Sequence, residues 1–312
     1  MPPADPPSQT PLVVACVRYT DLRPDVDPLT GAITRDVHRA GLSAADEAAA
    51  EHALRIAEAW SGRVLVVTAG PAAADGTLRE IMALGCDVLR IPWPGESAGP
   101  GSDQSFVDDI GGDERAVARA VAAAVRTAGD PALVICGDRS ADRGTGAFPA
   151  FLAHELGAAQ ALGLVELQPD DGGVLAERRL DGGRRERLRV PRPAVCSVEG
   201  AGVRLRRAPL PATLAAGRSA VPTAPARVTA THVGTGPVTT GPVVPYRPRT
   251  RVIPPPDSAA PRQRLLSLTG ALVAHEPPTI IGPVEAVEAA DALLSFLARH
   301  GYLDDDQAGP SA

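Results

Sequence analysis

The sequence predicts an α/β protein: a doubly wound, mostly parallel sheet with an antiparallel β addition and an extended C-terminal arm ending in a helix. Three observations lead there. Apolar runs without polar alternation, LVVACV at 12–17, RVLVVT at 63–68 and ALVIC at 132–136, have the pattern of strands buried on both faces. Stretches of helical length separate them, which implies right-handed crossovers between parallel strands. Later, Asp171-Gly172-Gly173 and Asp181-Gly182-Gly183 are hairpin turns that join β segments at 164–168, 174–180 and 184–190.

In chain order, residues 12–17 open the sheet. A polar loop over 18–41 follows, with turn signals at Asp27-Pro28 and Thr30-Gly31. Ser43 is a candidate N-cap, and Asp46 and Glu47 then face the positive end of a helix that runs to about Trp60. The strand at 63–68 ends at Ala69-Gly70-Pro71. A helix over 72–84 is stopped by Gly85, and a third strand spans 87–91. A loop over 92–112, rich in Gly, Pro and acid, precedes a helix over 113–128. The strand at 132–136 leads through a polar loop, 137–146, into a helix over 147–156. After the hairpins, 193–198 (PAVCSV) is another buried strand.

The composition changes at about Pro209. From there to Pro261 stand twelve prolines and one acid, Asp257, and no helical or strand period survives. An extended arm is expected, either flexible or laid along a partner. Residues 264–273 regain apolar character. Residues 284–300 form an amphipathic helix, with Val284, Val287, Ala290, Leu293, Leu294 and Leu297 near one face.

Composition excludes several classes. With 44% hydrophobic and 22% charged residues in 312, a folded protein is expected. Net charge is −6 and aromatics are 3%, which gives no stacking or basic surface for nucleic acid. No run approaches the roughly 20 apolar residues of a membrane span. The Pro-rich segment 1–11 has no apolar core of the signal-peptide kind, so a disordered N-terminus and a cytoplasmic location are expected. Every one of the 31 basic residues is Arg. None of the six histidines has metal-ligand spacing, no GxSxG elbow is present, and a stand-alone hydrolase lacks its nucleophile set. Cys16, Cys86, Cys136 and Cys196 have no CxxC spacing; they read as small buried hydrophobes, and a redox role would require two of them to meet in space.

What remains is ligand binding at the carboxyl ends of the parallel strands, where strand order reverses. Three ends suit it. Ala15 is small enough to let a base or ribose approach. Thr68-Ala69-Gly70 closes the second strand. Gly137 to Gly146 (GDRSADRGTG) directly precedes a helix: Gly144 and Gly146 permit conformations closed to other residues, Thr145 offers a hydroxyl, and Asp142 accepts from a ribose or caps the loop. Free N–H groups at the following helix start suit a phosphate, although the loop is neither a GxGxxG fingerprint nor a P-loop and an ordinary tight turn stays open. A nucleotide-binding α/β protein, Rossmann-like in architecture, is the reading.

The order of these motifs resembles the β subunit of electron-transfer flavoproteins from residue 12 to about 303. Thr68-Ala69-Gly70-Pro71, Leu78-Arg79 and Ala83-Leu84-Gly85-Cys86-Asp87 are similar to that family's S-x-G-P…L-R-x-x-x-A-x-G-x-D stretch. Ala15 with Arg18 resembles its opening strand. Asp46-Glu47 resembles its next helix, with Ser43-Ala44-Ala45 where the family has Asn-Pro-aromatic. Residues 137–146 resemble its adenine-nucleotide loop, keeping Gly137, Asp142, Thr145 and Gly146, with Asp138 where a basic residue is common. Leu210-Pro211-Ala212-Thr213-Leu214 resembles a loop that docks on dehydrogenases, with Leu210 as anchor; a plain Leu-Pro turn stays open. His275-Glu276-Pro277-Pro278…Gly282 is similar to the segment that wraps the α subunit.

The resemblance implies an electron carrier without bond chemistry of its own, in a heterodimer with an α subunit that holds most of a flavin adenine dinucleotide (FAD). It implies adenosine monophosphate (AMP) bound structurally in β, or a second FAD in an electron-bifurcating member, and a dehydrogenase as electron donor. Ala15, Ser43, Asp46, Ala69, Gly70, Gly137, Asp142, Gly144, Thr145 and Gly146 are the expected cofactor-binding residues. Leu210, Pro211 and Leu214 are the expected docking residues. The expected organisation is a nucleotide-binding α/β domain at 12–208, a recognition loop at 209–218, a Pro-rich arm at 219–262, a segment packing on the α subunit at 263–303 and an acidic tail at 304–312. An alternative of another class, a universal-stress-type ATP-binding regulatory protein, shares the sheet without needing the Leu210 segment, the arm or the last helix.

Overall fold

The computed structural model describes residues 10–34, 36–92, 114–225, 247, 260–269 and 280–302. Expectations for the first nine residues, the 93–113 loop, most of the Pro-rich arm, residues 270–279 and the acidic tail lie outside these. Contacts divide the chain into two compact units, Met1–Tyr246 and Arg247–Ala312.

The first unit opens with β1 (Leu12–Cys16), then the short strands β2 (Thr20–Asp21), β3 (Asp25–Val26), β4 (Ile33–Thr34) and β5 (Ala40–Gly41). Next come α1 (Ala44–Ala59), β6 (Arg63–Gly70), α2 (Asp75–Met82), β7 (Asp87–Pro92), α3 (Glu114–Ala128), β8 (Pro131–Gly137) and α4 (Phe148–Leu156). The unit continues with β9 (Ala159–Asp170), β10 (Gly173–Arg179), β11 (Arg185–Pro191), β12 (Ala194–Val198) and α5 (Leu210–Ala216).

One sheet runs in the order β11-β10-β9-β12-β8-β1-β6-β7. The six strands from β9 to β7 are parallel, and β10 and β11 add antiparallel pairs. All five residues of β1 and of β12 are buried because helices cover both faces. On one face, Val13, Ala15, Leu133 and Ile135 belong to a core with Ala48, Ala49, Ala53 and Ile56 of α1. The alanines let that helix lie close to the sheet. On the other face, Val14, Cys16, Val67, Val134 and Cys136 join Ala118, Val121 and Val125 of α3 and Leu152 of α4. Each large apolar side chain so covered contributes about 1.5–3 kcal/mol.

The chain moves outward from β1 to β6 and β7, then returns to β8 on the other side of β1. Strand order therefore reverses between β1 and β8, and a crevice opens above their carboxyl ends. The cap of α1 overhangs this point. Ser43 accepts from Asp46 N while Asp46 accepts from Ser43 N, a capping box that satisfies two donors at the helix start.

Three segments differ from the sequence reading. The 18–41 loop contains two small antiparallel ribbons, β2 with β5 and β3 with β4, held by Asp21 and Asp27 accepting from nearby backbone amides. Strand β9 begins at Ala159, earlier than expected, because its first half pairs with β12 before its second half pairs with β10. The segment after Pro209, expected to carry no helical period, forms α5. Pro211 in its first turn needs no amide partner, and the alanines that follow favour helix.

Both margins of the sheet are occupied or charged. Arg90 N donates to Pro222 O and Ala224 N to Arg90 O, so the chain after α5 runs along β7. At the opposite margin, Arg185 and Arg187 of β11 pair with Glu177, and Arg189 pairs with Asp170. The second unit contains α6 (Pro261–Leu268) and α7 (Ala286–Arg299). Val287, Leu293 and Leu294 of α7 are exposed, and in the chain as described the expected apolar face is open.

Candidate nucleotide site

The crevice is a cleft of about 650 Å3, part of it open to solvent. Cys16, Val17, Val67, Ala69, Val117, Val121, Cys136, Phe148 and Pro149 are its apolar lining. Arg18, Asp46, Glu114, Arg139, Ser140 and Thr145 bring polar side chains to it, and Gly137 and Gly146 backbone. This mix, a mostly apolar concavity with a few converging polar groups, suits a small organic ligand.

Two glycines create the shape. A Cβ on Gly137 would lie 3.1 Å from Ala45 Cβ and 3.4 Å from Asp46 Oδ1, so its absence lets the start of α1 sit over the end of β8. A Cβ on Gly146 would lie 2.6 Å from the Asp138 carbonyl oxygen, closer than atoms pack. The 138–146 loop is thereby folded on itself. Ser140 N donates to Thr145 O at 2.8 Å, Gly144 N to Ser140 O at 2.9 Å, and the Ser140 and Thr145 hydroxyls are 3.1 Å apart.

Arg18, the second residue after β1, ties this loop to the sheet. Its Nε donates to Asp142 Oδ1 at 3.0 Å and its Nη2 to Oδ2 at 2.7 Å, a two-pronged pair. Burial works to raise the Asp142 carboxyl, but the hydrogen bonds and charge of Arg18 outweigh it and hold the group below its ordinary value. The Arg18 amide donates to Asp46 Oδ1 at 3.1 Å. Asp46 is buried, and loss of water pushes its carboxyl up to about 6 despite three hydrogen bonds from Ser43 and Arg18.

Of the ten expected cofactor-binding residues, the cleft brings together Asp46, Ala69, Gly137, Thr145 and Gly146. Asp142 stands one side chain away, paired with Arg18, and Ser43 caps Asp46. Ala15 belongs to the core on the α1 face. Gly70 accepts from Arg90, and Gly144 supplies a left-handed turn at φ +67°. The start of α4 is a poorer phosphate cradle than its position suggests. Ala147 N donates to Glu114 Oε2 at 3.0 Å, and Pro149 has no N–H. Arg139, in the loop itself, is exposed and forms no ion pair among the described residues. Sequence reasoning missed Arg139, Glu114 and Phe148 as lining residues; for Arg139 the signal was a cation two residues past a buried strand. Leu210 and Leu214 of α5 are exposed. Among the described residues no group of three or more His, Cys, Asp and Glu is arranged to hold a metal, and no helix is long and apolar enough to cross a membrane.

A mostly parallel α/β sheet with a cleft at its order reversal defines a class of ligand-binding α/β proteins, and comparison with known proteins narrows it. The family model described as electron transfer flavoprotein domain matches residues 30–229. The chain belongs to this electron transfer flavoprotein family. It is 32% identical over 172 residues to the electron transfer flavoprotein subunit beta of Mycobacterium tuberculosis, 53% of this chain and 59% of that one. It is 27% identical over 158 residues to the subunit beta of Thermoanaerobacterium thermosaccharolyticum, 51% of this chain and 56% of the relative. It is 27% identical over 217 residues to the protein FixA of Rhizobium meliloti, 67% of this chain and 70% of the relative. The matched region thus spans little more than half the length of the subunit beta relatives.

Proposed function

We propose that the chain is the β subunit of a heterodimeric electron-transfer flavoprotein, carrying AMP in the cleft between β1 and β8 while FAD is held mainly by an α subunit. The observation that carries this reading is the cleft itself: it lies at the strand-order reversal of a chain in this family, with a mostly apolar lining and a few polar groups among it. Val67, Val117 and Val121 would face the adenine, Thr145 and Asp46 would position the ribose, and Arg139 would meet the phosphate. The compact 138–146 loop, fixed by Arg18 and Asp142, orients these groups before the ligand arrives. The nucleotide is structural, so no residue of the cleft is assigned a proton transfer or a bond-making step. Electrons pass from a dehydrogenase through the flavin to a downstream acceptor, and the chain contributes docking, flavin position and exclusion of water. The exposed apolar positions of α7 support packing on the α subunit, and exposed Leu210 and Leu214 support docking of the donor.

Co-expression with the α subunit tests this. The expected product is a yellow heterodimer that releases one flavin and one AMP per pair. Two flavins per pair would move the reading to a bifurcating subunit with its own FAD. A colourless monomer that binds ATP would replace it with the regulatory alternative.

A further inference from the structure

The two cysteines that the sequence left apart are brought together. Cys16 ends β1, Cys136 stands next to the last residue of β8, and the two are register partners on neighbouring parallel strands. Both side chains lie on the α3 face and both line the cleft. Burial and the neighbouring Cys16 together push the Cys136 thiol up. Neighbouring strands run about 4.8 Å apart, inside the Cα separation of roughly 4.4–6.8 Å that a disulfide spans. Cys86 and Cys196 lie in the opposite core, and Cys196 is in register with Ile135 of β8, not with Cys136.

We propose that Cys16 and Cys136 are a redox-active dithiol at the floor of the cleft, converted to a disulfide by a small uncharged peroxide that enters from solvent. Cys16 is the more accessible of the two, 6% exposed against 1% for Cys136, so Cys16 attacks first. Its sulfur takes one oxygen of the peroxide, the O–O bond breaks, and water and a sulfenic acid form. The Cys136 sulfur then displaces the hydroxyl as a second water, and its thiol proton leaves with it. In sum, two thiols lose two electrons and two protons, and one hydrogen peroxide becomes two waters. A bridge between in-register parallel strands is held near the edge of the geometry that disulfides favour, and strained bridges are the readily reduced ones. The reaction requires only the two thiols and an open cleft, so it stands or falls independently of which nucleotide binds there.

Peptide mapping provides the test. The chain has no lysine, so trypsin releases Cys16 in residues 1–18 and Cys136 in residues 127–139, each with a single cysteine. Full-length protein is treated with hydrogen peroxide, denatured and alkylated. The expected result is a fall from four alkylated cysteines to two, with peptide 1–18 linked to 127–139 at 2 Da below their sum and released by dithiothreitol. In Cys136→Ser, Cys16 stops at the sulfenic acid and is trapped by dimedone. Full alkylation of both cysteines after treatment, links to Cys86 or Cys196 instead, or oxidation of Cys136 at the wild-type rate in Cys16→Ser would each overturn the proposal.

Discussion

The Arg18–Asp142 pair makes a quantitative claim. Arg18→Met keeps most of the aliphatic stem and removes the guanidinium, leaving the Asp142 carboxylate with only 8% of its side chain exposed and without its main partner. Breaking a fully buried pair this way costs about 3–5 kcal/mol. Arg18 is 29% exposed, so water enters the vacated space and the expected loss is about 2–3 kcal/mol at pH 7.5. The pH dependence has a definite sign. In the wild type Asp142 is lowered, so its contribution is present above the unfolded carboxylate value near 4 and is lost only as pH falls through the still lower folded value. In Arg18→Met the burial that raises the group is opposed only by a backbone hydrogen bond and the charge of Arg143, so its carboxyl moves up from its wild-type position. The variant's deficit therefore shrinks as pH is lowered from 7.5 towards 4.5. Urea unfolding of wild type, Arg18→Met, Asp142→Asn and the double variant at both pH values gives the coupling energy. A coupling under about 0.5 kcal/mol at pH 7.5, or one that does not change with pH, refutes the role assigned to this pair.

Other consequences are open to measurement. Asp46, raised to about 6 by burial, makes the folded state bind its proton more tightly than the unfolded chain; that contribution is complete below about pH 4 and is lost as pH rises through about 6. Unfolding free energies from urea titration should therefore fall between pH 4 and 7 relative to Asp46→Asn, by about 3 kcal/mol in total, and parallel curves would count against it. Gly146→Ala forces the Asp138 carbonyl away and should weaken AMP binding about tenfold or more in calorimetry, with about 1–3 kcal/mol of stability lost to strain. Leu210→Ala, at a position 69% exposed, should leave stability within about 0.5 kcal/mol and slow electron entry from the cognate dehydrogenase; unchanged stopped-flow rates would remove the docking assignment.

The sheet was legible because its parallel strands are buried on both faces, and such strands write themselves as unbroken apolar runs. Helix α1 was legible from Ser43 as N-cap with Asp46 and Glu47 in the first turn; the box that the Ser43 and Asp46 side chains close was not anticipated. The short α5 was hidden because Pro211 looks like a breaker, whereas in a first helical turn it costs nothing. In the cleft, glycine and small-residue positions were readable, since close approach demands them. Partners distant in sequence were not: Arg18 and Asp142 are 124 residues apart, and no local pattern joins them. The meeting of Cys16 with Cys136 depended on strand order, which apolar runs do not encode.

A sheet that exposes unsatisfied amides at its rim recruits any extended peptide it meets. Here Pro222 and Ala224 occupy the rim at Arg90, and at the far rim a row of guanidinium groups repels an approaching apolar strand. On the two-subunit reading proposed above, the chain must wait for its companion without polymerising. In this chain that leaves side-chain surfaces, and not backbone zippering, as the medium through which companions are chosen.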